Sequence, residues 1–599
     1  MLTNEREAAP VWSQIVERAK ERIPEICPPW TDFNVHDPGM ALVELLAWLH
    51  EIQMFHMEQI SEEHYSKFLK LLGIERRGRQ PGTTLVTVSG EKPVLIPDHT
   101  TFYAGDIHFE SGREQMTAEG IFERFISRSG GEETVLEGEW IREGKGVSLR
   151  PFGRHPQEGA EFTVEFAVPL EERKRWNLYA DCESRYPLPV KRVCQEAFDG
   201  HGFYPLADIR MEYRTGRGFR PVRILEDETC CFIQSGSLSF WLDEPMSREH
   251  PELRFVLQRC GYLIAPCITR ISLAMVRVRQ QESLAQELRY RGTGLPWQRF
   301  DLEDRLLMEE ELRVRVDEKL WEQTKDFDCS GPEDRHYRIE GGGLLFGDGF
   351  HGMAPEGDIR VSGLRRTLGD GGNVKAGAIL SADIKNVSVF NEWDVTEGCG
   401  AESFESAMKR YLDTREPEDR AVGKEDYERL IGRIPGLLIE DCRVTGISPE
   451  RNQLTIAVKP FTEDGEGRLN QEYETNIYRF LEEKRLIGTR ILLVSPEYCR
   501  VSLRLEVVGR VEYPDAGNIL KEMVRGWIGG KTFGDGISYA ELYGLLDTHP
   551  CVRRVKALRV DSTGRTKRND RGDLLIPANG LMRLAEIECT VLTETERTG

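Results

Sequence analysis

Apolar residues in the first 80 positions follow helical spacing. A narrow stripe that recurs every four residues predicts a first helix: Val11, Ile15, Ala19, Ile23. Pro24, Pro28 and Pro29 are expected to end this helix, because proline lacks the N–H that a helix interior needs. From Met40 to Ile60 the chain is apolar on most sides, which predicts a second helix buried against its own fold or against other chains.

Asp37, Pro38 and Gly39 stand where the second helix should begin. An aspartate can cap the free amides of a first helical turn. A proline fits there because its missing N–H is not needed. These three residues are therefore predicted to shape the helix start.

Beyond Gly82 the period of the apolar residues changes from helical to two, which is typical of strands. Polar and apolar residues alternate from Glu161 to Val168, and glycine and proline are dense up to about Gly400. After that point helical segments mix with alternating ones, such as the run that starts at Val501. The middle of the chain is therefore predicted to be β-rich and the last part mixed.

These patterns predict a multidomain α+β protein, with an N-terminal helical segment, a β-rich middle and small α/β units at the C-terminus. The expected regions are a helical segment 1–78, a β-rich region 79–285, a β-rich and glycine-punctuated region 286–398, and α/β units 399–496 and 497–599. Within the region 79–285, the pattern of strands leaves the particular fold of residues 115–200 open.

Composition and charge narrow the function classes. The chain has 599 residues, of which 39% are hydrophobic, and this is enough for large buried cores. Its formal net charge of −21 disfavours nucleic acid and anionic lipid as partners, because both need basic patches. The sequence has no run of about 18 apolar residues and no apolar leader, so we expect synthesis in the cytoplasm without direct membrane insertion.

Three sequence patterns resemble nucleotide-binding or metal-binding motifs, but the residues around them do not fit such sites. The segment Gly347–Gly352 has the letters of a dinucleotide fingerprint, but no helix start follows it. The segment Gly530–Thr532 lacks the earlier glycine and the strand–loop–helix order of a phosphate-binding loop. The histidines between His36 and His64 have no metal-ligand spacing. We therefore predict no catalytic, cofactor or metal site, and no enzyme.

The segment Arg553–Arg571 is a basic run in an otherwise acidic chain, and aspartates interrupt it. Two interpretations stay open. The segment is either a solvated hairpin or a contact surface that seeks an acidic face on a partner chain.

Several motifs, in the right order over most of the chain, carry a resemblance to a known family. The N-terminal signature comprises Trp30–Asn34, Asp37–Gly39 and Leu45–Trp48. Further motifs follow along the chain: Gly292–Gln298, Ser330–His336, Phe346–Gly349, Gly372–Val374, Ala421–Val422, Asp426–Glu428, Ile537–Leu546. On these residues the chain resembles the baseplate J-like family of contractile-tailed phages and phage-tail-like contractile injection systems.

The resemblance implies a structural baseplate wedge subunit with no cofactor, in a hetero-oligomeric assembly with sixfold symmetry. Such a subunit links the central hub and spike to the sheath and helps to transmit the trigger of contraction. The implied partners are other wedge chains, including a second baseplate J-like protein, together with hub, spike and sheath-initiating proteins. The subunit is expected to be assembled in the cytoplasm and to become part of an injection particle or a virion baseplate.

The resemblance also suggests which residues make the contacts. The N-terminal helices of this family typically join helices of other wedge chains, so the predicted bundle contacts are Trp30, Leu45, Trp48, Leu49, Ile52, Phe55. The C-terminal part typically contacts neighbouring copies. The residues predicted to pack within it are Tyr539, Leu542 and Tyr543.

Two other function classes stay open. A tail-associated hydrolase of cell wall or glycan would need two placed carboxylates or a metal cluster, and the sequence reveals neither. A receptor-binding tail component would be expected to carry shallow repeats or sustained heptads, which the sequence also lacks. Turnover of peptidoglycan by the purified chain would favour the first class, and direct binding to cells would favour the second.

Overall fold

The fold is that of a computed structural model of the chain. The structure describes residues 12–34, 36–58, 69, 71–74, 76–138, 148–182, 191–193, 202–302, 304, 306–308, 312–340, 342–413, 420–510 and 512–592. None of the helices within these ranges combines the length and the apolarity needed to cross a bilayer. Two compact units divide the chain, and each is described by itself.

Unit 1 comprises Met1–Gln80, Ala285–Gly369 and Cys399–Arg415. Its N-terminal part contains the helices α1 (Trp12–Ile26) and α2 (Pro38–Glu58). Helix α1 continues through Pro24, so the break predicted at this proline is wrong. Pro24 lies in the last turn, where its missing N–H removes a single helical bond. Of the stripe predicted for this helix, Val11 lies outside the described residues.

The remainder of unit 1 contains a sheet and a third helix, α3 (Phe404–Asp413). In spatial order the strands of the sheet are Leu288–Thr293, Glu356–Ser362, Arg313–Val316, Lys319–Gln323, His336–Glu340, Gly343–Phe346, Arg299–Asp301. A two-residue strand, Arg365–Arg366, lies outside this order. Ala407 of α3 packs with Leu69 and Ile74 in a small core.

Unit 2 comprises Pro81–Leu284, Asp370–Gly398 and Glu416–Gly599. Its first sheet surrounds a core that includes Phe102 and Phe109, and its strands in spatial order are Ser381–Ala382, Thr101–Ala104, Ile107–Ser111, Met275–Arg279, Thr83–Ser89, Ser388–Asn391. In the strand Thr83–Ser89 the residues are alternately buried and partly buried, as the period of two predicts.

Two further sheets of unit 2 share one large aromatic core, in which Trp176, Phe162 and Phe255 are buried. The strands of one sheet are, in order, Gly218–Pro221, Ala207–Thr215, Glu252–Cys260, Glu161–Phe166, Phe122–Ser129, Glu132–Glu137. The strands of the other are Arg223–Asp227, Gly236–Trp241, Arg175–Cys182, Gln115–Thr117, Val94–Ile96, with Ile268–Ser272 paired to Arg175–Cys182. The short strand Glu282–Ser283 follows in the chain.

After residue 420, helices alternate with two longer sheets in unit 2. Helices α4 (Lys424–Ile431) and α5 (Gln471–Glu482) share a core with the sheet Ile439–Ser448, Gln453–Pro460, Arg490–Val494. Helices α6 (Ala516–Gly529) and α7 (Tyr539–Asp547) share a second core with the sheet Val552–Thr563, Glu497–Gly509, Gly580–Leu592. This part also contains a short strand pair, Lys567–Arg568 with Leu574–Leu575, and a 3-10 turn, Pro449–Arg451. Another 3-10 turn, Gly369–Gly372, lies earlier in the chain.

The described residues are mostly β, with helices at the N-terminus and a β-rich body, so these coarse features of the predicted fold are confirmed. The division into five regions stays a prediction. The structure also gives strands to much of the part between residues 115 and 200, including Glu161–Phe166, where the alternation of polar and apolar residues predicts one.

Candidate interaction surfaces

Helix α2 exposes an apolar face. Leu45, Trp48 and Leu49 are 49%, 51% and 42% exposed. Leu42, Leu46 and Phe55 are also exposed, while Ile52 is half-buried. Residues 42, 45, 49 and 52 repeat at helical spacing, so they form a stripe along α2.

The opposite side of α2 packs on α1. Met40 and Ala47 of α2 are buried with Val16 and Ile23 of α1 in a small core. The indole nitrogen of Trp12 donates a hydrogen bond of 3.0 Å to the carbonyl oxygen of Glu44. Helix α1 therefore covers one side of α2 and leaves the stripe on the other side bare.

Trp30 lies against the start of α2. Its indole Nε1 donates hydrogen bonds to the carbonyl oxygen of Asp32 at 2.9 Å and to Oδ2 of Asp37 at 3.1 Å. The same Asp37 oxygen accepts the Met40 amide at 2.9 Å, which satisfies a free N–H of the first helical turn. A side chain at Gly39 would collide with the Trp30 ring, so only glycine allows this contact.

The structure therefore gives Trp30 a contact within its own chain. The ring is half-buried beside the α1–α2 core, and Asp37 and Gly39 of the predicted helix start lie against it. Pro38, the third residue of that prediction, is the first residue of α2. Whether Trp30 also touches another chain stays a prediction. Leu42 and Leu46 belong to the exposed face but were not among the predicted contacts, although their helical spacing was a sufficient signal.

The predicted packing residues at the C-terminus lie on α7. Leu542 is fully buried in the core beneath the sheet. The hydroxyl groups of Tyr539 and Tyr543 donate hydrogen bonds to the carbonyl oxygens of Leu558 at 3.2 Å and Val555 at 3.4 Å. These bonds occupy backbone acceptors of the strand Val552–Thr563, which lies at the edge of its sheet.

Three sequence motifs that are far apart in the chain meet in unit 1. They form a loop cluster, defined here as residues 293–298, 326–336 and 346–356. The Trp297 amide donates to the Gly347 carbonyl oxygen at 3.2 Å, and the Gly352 amide donates to the Gly331 carbonyl oxygen at 3.1 Å. The Gly294 amide donates to the Pro355 carbonyl oxygen at 2.9 Å. The loops are thus joined by backbone hydrogen bonds.

Side chains hold each loop of the cluster in a fixed shape. The Gln298 side chain accepts the Thr293 amide at 2.8 Å and donates to the Pro355 carbonyl oxygen at 2.9 Å. Asp348 accepts the amides of His351 and Phe350 at 2.6 and 2.8 Å, and these bonds lower the pKa of its carboxyl group.

Aromatic and acidic side chains protrude from the loop cluster. Trp297 is 49% exposed and has a positive φ of 56°, a conformation that non-glycine residues adopt rarely. Its ring packs edge-on against Phe327 at a centroid distance of 5.7 Å. Phe350 is 78% exposed. The acidic side chains at the surface include Glu333 and Glu356.

The patterns that imitate nucleotide sites lie in other contexts. The segment Gly347–Gly352 forms part of the loop cluster, and no helix begins after it. The segment Gly530–Thr532 follows the end of α6, and the ammonium group of Lys531 lies 4.0 Å from the centroid of the Trp527 ring. Within the described ranges, no group of three or more His, Cys, Asp or Glu residues is placed to hold a metal ion.

No family model matches the chain, and no curated protein sequence matches it. Among solved structures, it is similar to a chain of the anti-feeding prophage (AFP) baseplate in its sixfold-symmetrised cryo-EM structure. The identity is 12% and the TM-score 0.36, over 96% of this chain and 89% of that chain. It is also similar to a chain of the TssK-TssF-TssG baseplate subcomplex of the type VI secretion system. There the identity is 10% and the TM-score 0.34, over 76% of this chain and 96% of that chain. At these TM-scores the similarity does not establish a shared fold.

Proposed function

We propose that this chain is a structural subunit of the baseplate of a contractile injection system or phage tail. It would occupy a wedge, link the central hub and spike to the sheath, and help to transmit the trigger of contraction. The proposal gives the chain no catalytic activity. It rests on the resemblance of its sequence motifs to the baseplate J-like family and on one structural observation, the bare apolar stripe of α2.

The stripe of α2 supports the proposal because exposed apolar side chains are energetically unfavourable in a monomeric chain. Burying a leucine that is about half exposed contributes on the order of 1 kcal/mol, so several such residues on one helix favour association. Leu45, Leu49 and Ile52 have the spacing of a helix–helix seam. The occupant that fits such a seam is another apolar helix, as in a bundle with a second wedge chain.

Ring formation needs at least two different surfaces on each wedge. In our proposal α2 joins the chains within one wedge, and the C-terminal part of unit 2 contacts neighbouring copies around a sixfold ring. The hub, spike and sheath-initiating proteins are the other partners.

A charge within the stripe tests the proposal. Leu45→Asp and Ile52→Asp should each abolish wedge assembly, because a carboxylate without a partner is expensive to bury. His50→Asp is the matched control, since His50 is an exposed polar residue of the same helix that lies outside the stripe. The measurement is the yield of sheathed particles from the native host, together with co-purification of wedge chains.

Normal particle yield with Leu45→Asp or Ile52→Asp would contradict the bundle. Loss of yield with His50→Asp as well would show that α2 does not tolerate charge in general. Turnover of peptidoglycan by the purified chain would argue for the hydrolase class instead.

A further inference from the structure

The loop cluster of unit 1 has the chemistry of an arginine-binding surface. We propose that it binds arginine side chains of the strand Val552–Thr563 of a second copy of this chain, in a head-to-tail contact. This contact deepens the proposed function, because it specifies how the C-terminal part of unit 2 contacts a neighbouring copy. It rests on that function only for its place in a ring, and self-association of the purified chain tests the contact separately.

The acceptor side combines aromatic rings with carboxylates that have no cation partner. Glu333, Asp334 and Glu356 make no ion pair with any described residue. Glu356 lies beside the loop that carries Trp297, since its Oε2 is 3.7 Å from the place a Cβ of Gly294 would occupy. Carboxylates next to an exposed aromatic face suit a guanidinium group, which can pair with the first and stack on the second.

The backbone of the loop cluster supports a binding role. Trp297 keeps its positive φ and half-exposed ring while the neighbouring Gln298 and Asp348 fix the loops through hydrogen bonds. Strain of this kind persists only where the surroundings hold it in place, and it concentrates at binding sites. The cluster is thus preorganised, so little ordering is needed when a guanidinium group binds.

The donor side is the strand Val552–Thr563 of unit 2. Its exposed Arg554, Lys556 and Arg559 make no ion pair with any residue that the structure describes. Arg504 of the central strand lies directly opposite Arg559 and adds a further positive charge, although Glu588 pairs with it at 3.1 Å. In a chain with a net charge of −21, these unpaired cations are complementary to the acidic loop cluster.

Charge complementarity between two surfaces of one chain favours a second copy as the occupant. A contact between two different patches is heterologous. In a pair of chains, one copy keeps a free loop cluster and the other keeps a free strand, so further copies can add until a ring closes. Long-range attraction of exposed charges also makes the contact sensitive to salt, because screening acts over about 10 Å at 0.1 M ionic strength.

Sedimentation velocity of the purified full chain tests this contact. At low ionic strength we expect self-association that weakens at high salt. The double variants Arg554→Glu/Arg559→Glu, on the donor side, and Glu333→Lys/Glu356→Lys, on the acceptor side, should each weaken it at least about tenfold. A mixture of the two variants should form a one-to-one pair, because one retains the intact acceptor and the other the intact donor.

The matched control is Arg217→Glu/Arg248→Glu, which changes the net charge of the chain by the same amount at two exposed arginines of unit 2. It should leave self-association unchanged. The proposal is overturned if the parent chain stays monomeric at low ionic strength, if self-association is insensitive to both reversals, or if the mixed variants fail to pair. Association through the apolar stripe of α2 would be recognised by its insensitivity to both reversals.

Discussion

The substitution Gly39→Ala should destabilise the start of α2. Glycine within a helix is usually destabilising, and its replacement by alanine raises the stability of the helix by about 0.5–1 kcal/mol. Here a Cβ would lie 2.7 Å from Cη2 of Trp30 and 2.9 Å from Oδ2 of Asp37, distances that real side chains do not reach. Either the indole ring or the Asp37 carboxylate must then move.

The size of the effect follows from these contacts. Overpacking costs about 1–3 kcal/mol, and several contacts under 3.0 Å place this site in the upper half of that range. After the gain in helix propensity, Gly39→Ala is left less stable by about 1–2 kcal/mol. Native-state hydrogen exchange of the first turn of α2 is the suitable assay, because a chain of several units does not unfold in two states. The amides of Met40 and Ala41 should exchange about 5- to 30-fold faster.

Gly544→Ala in α7 is the matched control, because no atom lies within 4 Å of the Cβ it would gain. Its helix should exchange about two- to fivefold more slowly. In a Trp30→Ala background, Gly39→Ala should be less destabilising, because only the close contact with Asp37 remains. Slower exchange in the Gly39→Ala variant itself would refute the account of Trp30 as the anchor of the helix start.

Two further predictions concern other parts of the chain. Arg410 holds the pKa of Glu402 at about 2, below its ordinary 4.5, so this carboxylate stabilises unit 1 above about pH 4.5 and ceases to do so as the pH falls through about 2. Glu402→Gln should remove this pH dependence of stability. The measurement is amide hydrogen exchange of α3, corrected for the intrinsic exchange rate at each pH. Gly436→Ala should lower the local stability of unit 2 by about 2–4 kcal/mol, measured by native-state hydrogen exchange of the strand Ile439–Ser448, because its φ is +76° and a Cβ would lie 2.8 Å from the Phe203 ring. Gly488→Ala, also at positive φ but without a clash, should cost only about 1–2 kcal/mol.

Local spacing allowed much of the fold to be predicted. The apolar stretch after Met40 and the Asp37–Gly39 segment suffice to place α2, because caps and helical periods are properties of neighbouring residues. The alternating run from Val501 likewise falls within the strand Glu497–Gly509. The expectation for Pro24 failed by two residues, since α1 ends at Ile26. The lost hydrogen bond of one proline is small against the packing of α1 on α2, and the spacing of prolines does not reveal where a helix ends.

Contacts between distant segments could not be predicted in this way. The resemblance motifs singled out Gly292–Gln298, Ser330–His336 and Phe346–Gly349 one by one, and only the fold shows that they hydrogen-bond to each other. In the same way, the basic run was visible in the sequence. That Arg554 and Arg559 lack partners among the described residues depends on which strands pair. Pairing across long sequence separations is set by tertiary packing and not by local pattern.

The central claim is that this chain is a baseplate subunit. The most direct measurement is cryo-electron microscopy of particles pelleted from the native host, with this chain tagged at one terminus. The account predicts tag density in a sixfold ring at one end of a sheathed tube, with α2 packed against helices of other chains. A chain that remains soluble and is never found with sheath or tube would contradict the account.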